Sequence, residues 1–182
     1  LTTLTVCYIS LAMSSVELSP VAHAGIRRRG NQQTIRYGFL LVPDYTLIAF
    51  STAIEPLRMA NRISGATLYT HPLFTLDGQV VNASNGLTIG PVSSIDNAGQ
   101  LDALFVCAGT RLDPDWITSL TEQFSRLRQR KVPIGGICTG SYLLAQSGIL
   151  DGYRCTVHWE NIYDMRDEFQ RRARQGNVGK LL

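Results

Sequence analysis

Three short apolar runs, each ending in turn residues, constrain the fold of this chain more than any other feature. Continuous runs of this length are typical of strands that are buried on both faces of a parallel sheet. A helical pattern follows each run. The three pairs of strand and helix are Tyr37–Val42 with 46–62, Leu101–Cys107 with 113–131, and Val132–Ile137 with 142–147. The alternation predicts an α/β domain built on a mainly parallel sheet.

Shorter patterns complete the expected domain. Tyr69–Leu76 and Arg154–His158 have the composition of strands, and residues 161–169 have a helical pattern. Asn85-Gly86 lies between two short segments, and this dipeptide supplies the positive φ of a tight turn. We therefore expect a hairpin over residues 80–90.

Composition and charge place the domain within the chain. The chain has 182 residues, of which 45% are hydrophobic, which suffices for the core of one domain. Its net charge of +3 comes from the ends, because residues 34–168 hold 10 basic and 13 acidic residues. A basic nucleic-acid-binding face is therefore not expected. We predict a poorly ordered leader or linker over 1–33, a domain over 34–169 and a basic tail over 170–182.

The first residues resemble a secretory signal only superficially. They end in Ala22-His23-Ala24, but they lack a positively charged start, and Glu17 and Pro20 interrupt the apolar stretch. The uninterrupted part is too short to span a membrane. We therefore expect a cytoplasmic protein without a membrane partner, and secretion remains the alternative.

The four cysteines are far apart in the sequence. Their spacing contains no C-x-x-C pair, which argues against a zinc site, and four cysteines in a chain of this length do not indicate a disulfide framework. We expect reduced thiols, no metal and no cofactor. Cys107 and Cys155 are expected in the core, Cys7 carries no interpretation, and Cys138 stands apart.

Cys138 lies where a strand ends and a helix begins at once, in the segment Gly135-Gly136-Ile137-Cys138-Thr139-Gly140-Ser141. Such a junction pushes the side chain outward, and a helix N-terminus lowers a thiol pKa. The amides that follow Cys138, with that of Gly109 or Thr110 across the crevice, have the arrangement of an anion or oxyanion hole. The alternative is a small buried residue at a packed junction, and spacing alone leaves both readings open.

A nucleophile needs a base, and the chain offers few. His158, followed by Trp159, is expected at the carboxyl end of the next strand, where its loop would meet that of Cys138. Glu55 lies on the first helix and could approach a thiolate. A surface or structural histidine and a solvated glutamate are the alternatives.

Five motifs follow one another along the chain. They are Tyr37-Gly38-Phe39-Leu40-Leu41-Val42-Pro43, Ala53-Ile54-Glu55-Pro56-Leu57-Arg58-Met59-Ala60-Asn61-Arg62, Gly136-Ile137-Cys138-Thr139-Gly140-Ser141, Leu150-Asp151-Gly152 and Thr156-Val157-His158-Trp159-Glu160. Taken in order, these motifs resemble those of GlxA-type transcriptional regulators, which are AraC-family proteins with an N-terminal ThiJ/PfpI-like domain. The resemblance covers about residues 36–169. The resemblance implies a flavodoxin-like three-layer sandwich similar to class I glutamine amidotransferases. It also implies a homodimer that senses a small nitrogen-containing metabolite.

Residue by residue, the resemblance makes Cys138 the nucleophile-elbow residue, Gly109 the loop residue that faces it, and His158 the histidine near it in hydrolytic relatives. Isonitrile hydratase-like relatives carry an acid on the first helix, and Ala49 takes its place here. This departure weighs against an enzyme. Ligand contacts are expected from Glu55, Gly109, Thr110, Cys138, Thr139, Gly140, Ser141, His158 and Trp159.

Three functions follow as hypotheses. The first is the ligand-sensing domain of a transcriptional regulator, the second a hydrolase or hydratase with Cys138 as nucleophile and His158 as base, and the third a redox protein with an oxidisable Cys138. The family implies further elements beyond Phe169 and then a helix-turn-helix domain, neither of which the remaining residues resemble. We therefore expect a truncated, marginally stable domain with an exposed apolar edge, and DNA contact only through a domain absent from this chain.

Overall fold

The structure is a computed structural model that describes residues 6–7, 33–109, 114–151, 153–155, 162–163, 166–167 and 180–181. Its strands are β1 (Val6–Cys7), β2 (Ile35–Leu41), β3 (Tyr69–Thr70), β4 (Leu73–Thr75), β5 (Ser93–Ser94), β6 (Ala103–Ala108), β7 (Ile134–Cys138), β8 (Arg154–Cys155) and β9 (Lys180–Leu181). Its helices are α1 (Leu47–Ser64), α2 (Pro114–Gln129) and α3 (Gly140–Gln146), with a 3₁₀ turn at Ile95–Asn97.

One sheet organises these elements, in the order β1-β7-β6-β2-β4-β5, with β3 paired to β2. β2 pairs in parallel with β6 from Tyr37 opposite Ala103 to Leu41 opposite Cys107. All pairings within this sheet are parallel except that of β1 with β7. The predicted flavodoxin-like fold with a mainly parallel sheet is therefore confirmed. β8 and β9 form a separate parallel pair.

Helices cover both faces of the sheet. On one face, here called the α1 face, Phe39 and Leu41 of β2 pack against Ala49 and Phe50 of α1. On the other, the α2/α3 face, alternate strand residues pack against both remaining helices. These buried residues include Leu40, Leu104, Val106 and Ile134 of the strands and Leu120, Phe124, Leu127, Leu143 and Leu144 of the helices. The alternation of side chains along each strand produces the two cores.

The strand predicted over Tyr69–Leu76 is divided in two, β3 and β4. His71-Pro72 separates β3 from β4, because proline has no amide hydrogen to donate to a ladder. The Pro72 carbonyl instead accepts a hydrogen bond from the Phe39 amide at 3.0 Å, which keeps the segment against β2. The first helix continues through Pro56 without interruption and ends at Ser64. Gly65 caps it with a φ of 65°.

Other boundaries shift by a few residues. α3 begins at Gly140, two residues earlier than expected, so it starts almost directly after Cys138. The expected hairpin over 80–90 is reduced to a tight turn at Ser84-Asn85 with one isolated bridge between Asn82 and Thr88. Of the predicted last strand and helix, only Arg154–Cys155 and four helical residues lie within the described part. No helix among the described residues is long and apolar enough to cross a membrane.

Candidate functional site

The backbone of Cys138 has the conformation that a nucleophile elbow requires. Cys138 is the last residue of β7, and α3 begins two residues later at Gly140. Its φ is 56°, in the left-handed region that residues other than glycine rarely adopt. Such strain persists where the surrounding structure enforces it, and it concentrates at functional sites. The sharp turn predicted from the sequence is present.

Two glycines make the turn sterically feasible. A Cβ atom on Gly136 would overlap the backbone nitrogen of Ser141, and a Cβ atom on Gly140 would overlap the carbonyl oxygen of Val106. α3 therefore packs directly on the backbones of β6 and β7. These contacts explain why the sequence carries glycine on both sides of Cys138.

Three loops meet at the carboxyl edge of the sheet, those that follow β2, β6 and β7. The Thr46 amide donates a hydrogen bond to the Ala108 carbonyl at 3.3 Å, which ties the first loop to the second. The Thr139 hydroxyl donates to the carbonyl of Gly109, which ties the third loop to the second. We call the residues Thr46, Gly109, Cys138 and Thr139 the elbow junction.

The elbow junction lies where ligands bind in this class of fold. The chain leaves β2 through α1 on one face of the sheet and leaves β6 through α2 on the opposite face. Open α/β sheets bind ligands at the carboxyl ends of strands whose connections diverge in this way. A Cβ atom on Gly109 would overlap the Asp44 carbonyl oxygen, so the loops after β2 and β6 touch through backbone.

The Cys138 thiol is half-buried, and it contacts the hydroxyl of the residue that precedes α1. Thr46 Oγ1 lies 3.5 Å from Cys138 Sγ. Thr46 occupies the N-cap position of α1, yet its side chain makes no capping hydrogen bond. Threonine at this position ordinarily bonds to the helix backbone, so the hydroxyl is directed to the thiol instead. Sequence reasoning missed Thr46, and its only signal was a threonine at the start of a predicted helix.

Ala49 lies one turn further along α1, and its side chain is 5% exposed. It belongs to the same apolar cluster as Cys107 and Ile137, against which Cys138 packs. At the position where the resemblance implies an acid in hydratase-like relatives, this chain therefore places a methyl group in an apolar contact.

The residues that follow Cys138 serve the junction itself. Thr139 and Ser141 are both buried. The Ser141 hydroxyl donates a hydrogen bond to the Cys138 carbonyl at 3.2 Å, and the Thr139 hydroxyl donates one to the Gly109 carbonyl. The side chains of Thr139 and Ser141 therefore hold the turn in place. The predicted ligand contacts of Thr139, Gly140 and Ser141 would be made by their backbone amides, and they remain a prediction.

Glu55 binds Arg58, whereas the sequence allowed an approach to the Cys138 thiolate. Its exposed carboxylate accepts two hydrogen bonds from Arg58 Nε, at 3.0 and 2.8 Å, and a third from Arg58 Nη2 at 2.6 Å. These bonds hold the pKa of Glu55 below its ordinary value. Glu55 thus pairs along α1 with Arg58, and a role beside the thiol remains a prediction.

A second thiol lies beneath the elbow. Cys107 is 1% exposed, as the sequence predicted for a core residue. Burial, and to a smaller extent the neighbouring Cys138, raise the pKa of the Cys107 thiol. Tyr45 is also buried in this cluster, and its hydroxyl has no hydrogen-bond partner among the described residues. Burial, with a smaller contribution from Cys107, raises the pKa of Tyr45.

A cavity of about 260 Å³ lies between α1 and the sheet. Ile137, directly before Cys138, forms part of its wall. The remaining lining is largely aromatic and aliphatic, from Tyr37, Phe39, Thr52, Ala53, Pro56, Leu57 and Phe105. Thr110, His158 and Trp159 lie outside the described residues, so their predicted roles stay predictions.

The fold and the elbow define a class of protein. The sequence model of the DJ-1/PfpI family matches residues 39–175, and the chain belongs to that family. The chain is 44% identical over 147 residues to the HTH-type transcriptional regulator GbdR of Pseudomonas aeruginosa, an alignment that covers 79% of this chain and 38% of GbdR. It is 35% identical over 136 residues to the HTH-type transcriptional regulator GlxA of Rhizobium meliloti, over 74% of this chain and 42% of GlxA.

The fold comparison agrees with these relatives. The crystal structure of an AraC family transcriptional regulator from Pseudomonas putida superposes with a TM-score of 0.67 at 26% identity, over 74% of this chain and 72% of that one. The predicted resemblance to regulators with a ThiJ/PfpI-like domain is therefore confirmed. The chain spans about two fifths of the length of the regulators GbdR and GlxA.

Proposed function

We propose that this chain is the ligand-sensing domain of a transcriptional regulator and that it binds a small nitrogen-containing metabolite at the elbow junction. One observation carries the proposal. The chain has the strained backbone and tight packing of a nucleophile elbow, and the Thr46 hydroxyl lies 3.5 Å from its thiol. The buried residue Ala49 stands where the resemblance implies an acid in hydratase-like relatives. The similarity to regulators supports the same function.

The chemistry of the junction suits binding. Cys138 is half-buried beside the Thr46 hydroxyl, and it lies two residues before the start of α3, where the first backbone amides of a helix have no partner within the helix. An acceptor group of a ligand, such as a carboxylate or an amide oxygen, is favoured there. We propose that the rest of the molecule reaches the largely apolar cavity whose wall includes Ile137, the residue directly before Cys138.

The position of the junction supports a mechanism of sensing. Its three loops lead directly into α1, α2 and α3, so a ligand that contacts all three would couple the packing of these helices. A ligand shifts a conformational equilibrium only as far as it binds one state more tightly than another. We propose that binding favours one arrangement of a homodimer in the cytoplasm, and that DNA is contacted through a helix-turn-helix domain outside the described residues.

A cysteine-dependent hydrolase or hydratase is the alternative function. The partial exposure of Cys138 and its left-handed φ favour it, because these features present a thiol to a substrate. In that case His158 would act as the base. The apolar environment at Ala49 weighs against it.

A binding experiment with a chemical assay separates the two functions. The purified chain is melted in the presence of a panel of amino acids, small amides and small amines, and each compound is then quantified by mass spectrometry. The sensor predicts that one or more compounds raise the melting temperature and are recovered unchanged. Consumption of a compound by the wild type but not by Cys138→Ala would establish the enzyme instead.

Matched threonine variants connect the result to the junction. Thr46→Val removes the hydroxyl beside the thiol and preserves the shape of the side chain. Thr121→Val makes the same change on α2, where the hydroxyl donates to the Ile117 carbonyl at 2.6 Å. We expect Thr46→Val to weaken binding and Thr121→Val to leave it unchanged. Equal binding by both variants would place the ligand elsewhere.

A further inference from the structure

We propose that Cys107 and Cys138 are a site of reversible oxidative modification, in which a hydroperoxide converts the two thiols into an intramolecular disulfide. The inference goes beyond ligand sensing. It rests on the strand register, on the direction of the Cys138 side chain and on the burial of Cys107.

The register places the two residues next to each other on paired strands. Cys107 lies opposite Ile137, and Ala108 lies opposite Cys138, in the parallel ladder of β6 and β7. Strands lie about 4.8 Å apart and rise about 3.3 Å per residue, so the diagonal from Cys107 to Cys138 spans about 6 Å between Cα atoms. Disulfides form at Cα separations of roughly 4.4–6.8 Å.

The elbow also turns the two side chains to the same face of the sheet. Strand alternation would direct residue 138 to the α2/α3 face together with Ala108, which is buried in that core. The left-handed φ of Cys138 reverses this direction, and its side chain packs in the cluster on the α1 face that contains Cys107 and Ile137. The electrostatic influence of Cys138 on the Cys107 pKa is consistent with this proximity.

The different environments of the two thiols determine that Cys138 reacts with the peroxide before Cys107 takes part. Cys138 is half-buried and open to a small oxidant, whereas Cys107 is almost fully buried and its raised pKa keeps it protonated. The Cys138 sulfur attacks the peroxide, the O–O bond breaks, and a sulfenic acid and one water or alcohol result. The Cys107 sulfur then attacks the Cys138 sulfur. The S–S bond forms, and the sulfenic oxygen leaves as water with the Cys107 proton.

The modification would alter the elbow junction. A Cys138 sulfur bonded to Cys107 carries no hydrogen, so it can no longer donate to the Thr46 hydroxyl that lies 3.5 Å from the thiol. The disulfide would therefore remove one ligand contact and tie β6 to β7 beneath the site. A thiol reductant would restore both free thiols by exchange.

Tryptic peptide mapping tests the proposal without any variant. Cleavage after lysine and arginine puts Cys7, Cys107, Cys138 and Cys155 in four different peptides, with Cys107 in residues 63–111 and Cys138 in residues 132–154. The chain is treated with hydrogen peroxide, alkylated, digested without reductant and analysed by mass spectrometry. We expect these two peptides to appear joined, with the loss of two hydrogen atoms, and to separate after treatment with dithiothreitol.

Variants sharpen the test. In Cys107→Ala, the sulfenic acid has no resolving thiol, and we expect the peptide of Cys138 to gain two or three oxygen atoms irreversibly. Cys155→Ser is the matched control and should form the joined pair as the wild type does. Wild-type Cys138 that gains oxygens without a joined peptide, or that joins to the peptide of Cys7 or Cys155, would overturn the proposal. The peptide map does not depend on ligand binding. The disulfide can therefore be disproved while the proposed sensor function stands, and the sensor function can be disproved while the disulfide stands.

Discussion

The two faces of the sheet differ in chemistry although the same strands build both. The α2/α3 face is filled by aliphatic and phenyl side chains, such as Leu104, Val106 and Phe124, which interlock fully buried. The α1 face contains two thiols and a tyrosine hydroxyl that has no hydrogen-bond partner in the described part of the chain, and it borders a cavity of about 260 Å³. Buried polar groups without partners cost stability. The comparison indicates that the α2/α3 face contributes most to stability, and it is consistent with our proposal that the site of binding lies toward the α1 face.

The largest expected effect is on the stabilising face. Phe124 is fully buried between α2 and the sheet, so Phe124→Ala should lower the free energy of unfolding by about 4 kcal/mol. Phe50→Ala is the matched change on the α1 face, where the adjoining cavity lets neighbours relax, and it should cost about 3 kcal/mol. Urea unfolding monitored by circular dichroism measures both. A larger loss for Phe50→Ala would contradict the assignment of the two faces.

The next effect concerns the elbow itself. Gly140→Ala introduces a Cβ atom that overlaps the Val106 carbonyl oxygen, so we expect a loss of about 3 kcal/mol. Gly99→Ala is the control, because Gly99 has a φ of 64° but open space around it, and it should cost only about 1 kcal/mol. Thermal unfolding of both variants measures the difference. Equal losses would mean that the elbow is less tightly packed than the structure shows.

A smaller effect depends on pH. The folded state raises the pKa of Cys107 because the thiol is buried. As the pH rises, the unfolded chain therefore loses the Cys107 proton before the folded chain does. The free energy of unfolding should be constant in this respect below about pH 8.5 and should then fall by about 1.4 kcal/mol per pH unit until the folded pKa is reached. Unfolding measured from pH 8 to 10 should show this slope in the wild type and a flatter one in Cys107→Ala. Parallel slopes would exclude a buried, protonated Cys107.

The smallest effect tests the unpartnered hydroxyl. Tyr45→Phe removes a buried group that has no hydrogen-bond partner among the described residues, and it should raise the free energy of unfolding by up to about 1 kcal/mol. Tyr142→Phe on the opposite face removes a half-buried hydroxyl and should change stability by less. The two variants are compared by urea unfolding. Destabilisation by Tyr45→Phe would show that the hydroxyl has a partner, such as a bound water.

Much of the fold could be predicted because it follows from local patterns. The apolar runs around Phe39, Leu104 and Ile137 each formed a buried strand, since only strands covered on both faces are apolar throughout. The cysteine at the turn was also recognisable, because glycines flank it at the junction of a strand and a helix. The division of the second strand depended on a single proline and was missed.

The surroundings of the thiol could not be predicted to the same extent. The contact of Thr46 with Cys138 joins residues that are 92 positions apart, and only the parallel register of three strands brings them together. The position of Glu55 on the first helix predicts that its side chain could approach a thiolate, but its carboxylate binds Arg58 one turn away. The convergence of Cys107 and Cys138 on one face requires the left-handed φ, which alternation along the strand does not reveal.

Native-state alkylation of Cys138 tests the central claim most directly. The chain is incubated with iodoacetamide alone and with each compound that raises its melting temperature, and labelling is followed on the peptide of residues 132–154. We expect Cys138 to be labelled while Cys107 stays protected, and we expect a bound compound to slow labelling of Cys138 by about tenfold at a concentration near ten times its Kd. Unchanged labelling of Cys138 under those conditions would contradict a ligand site at the elbow junction.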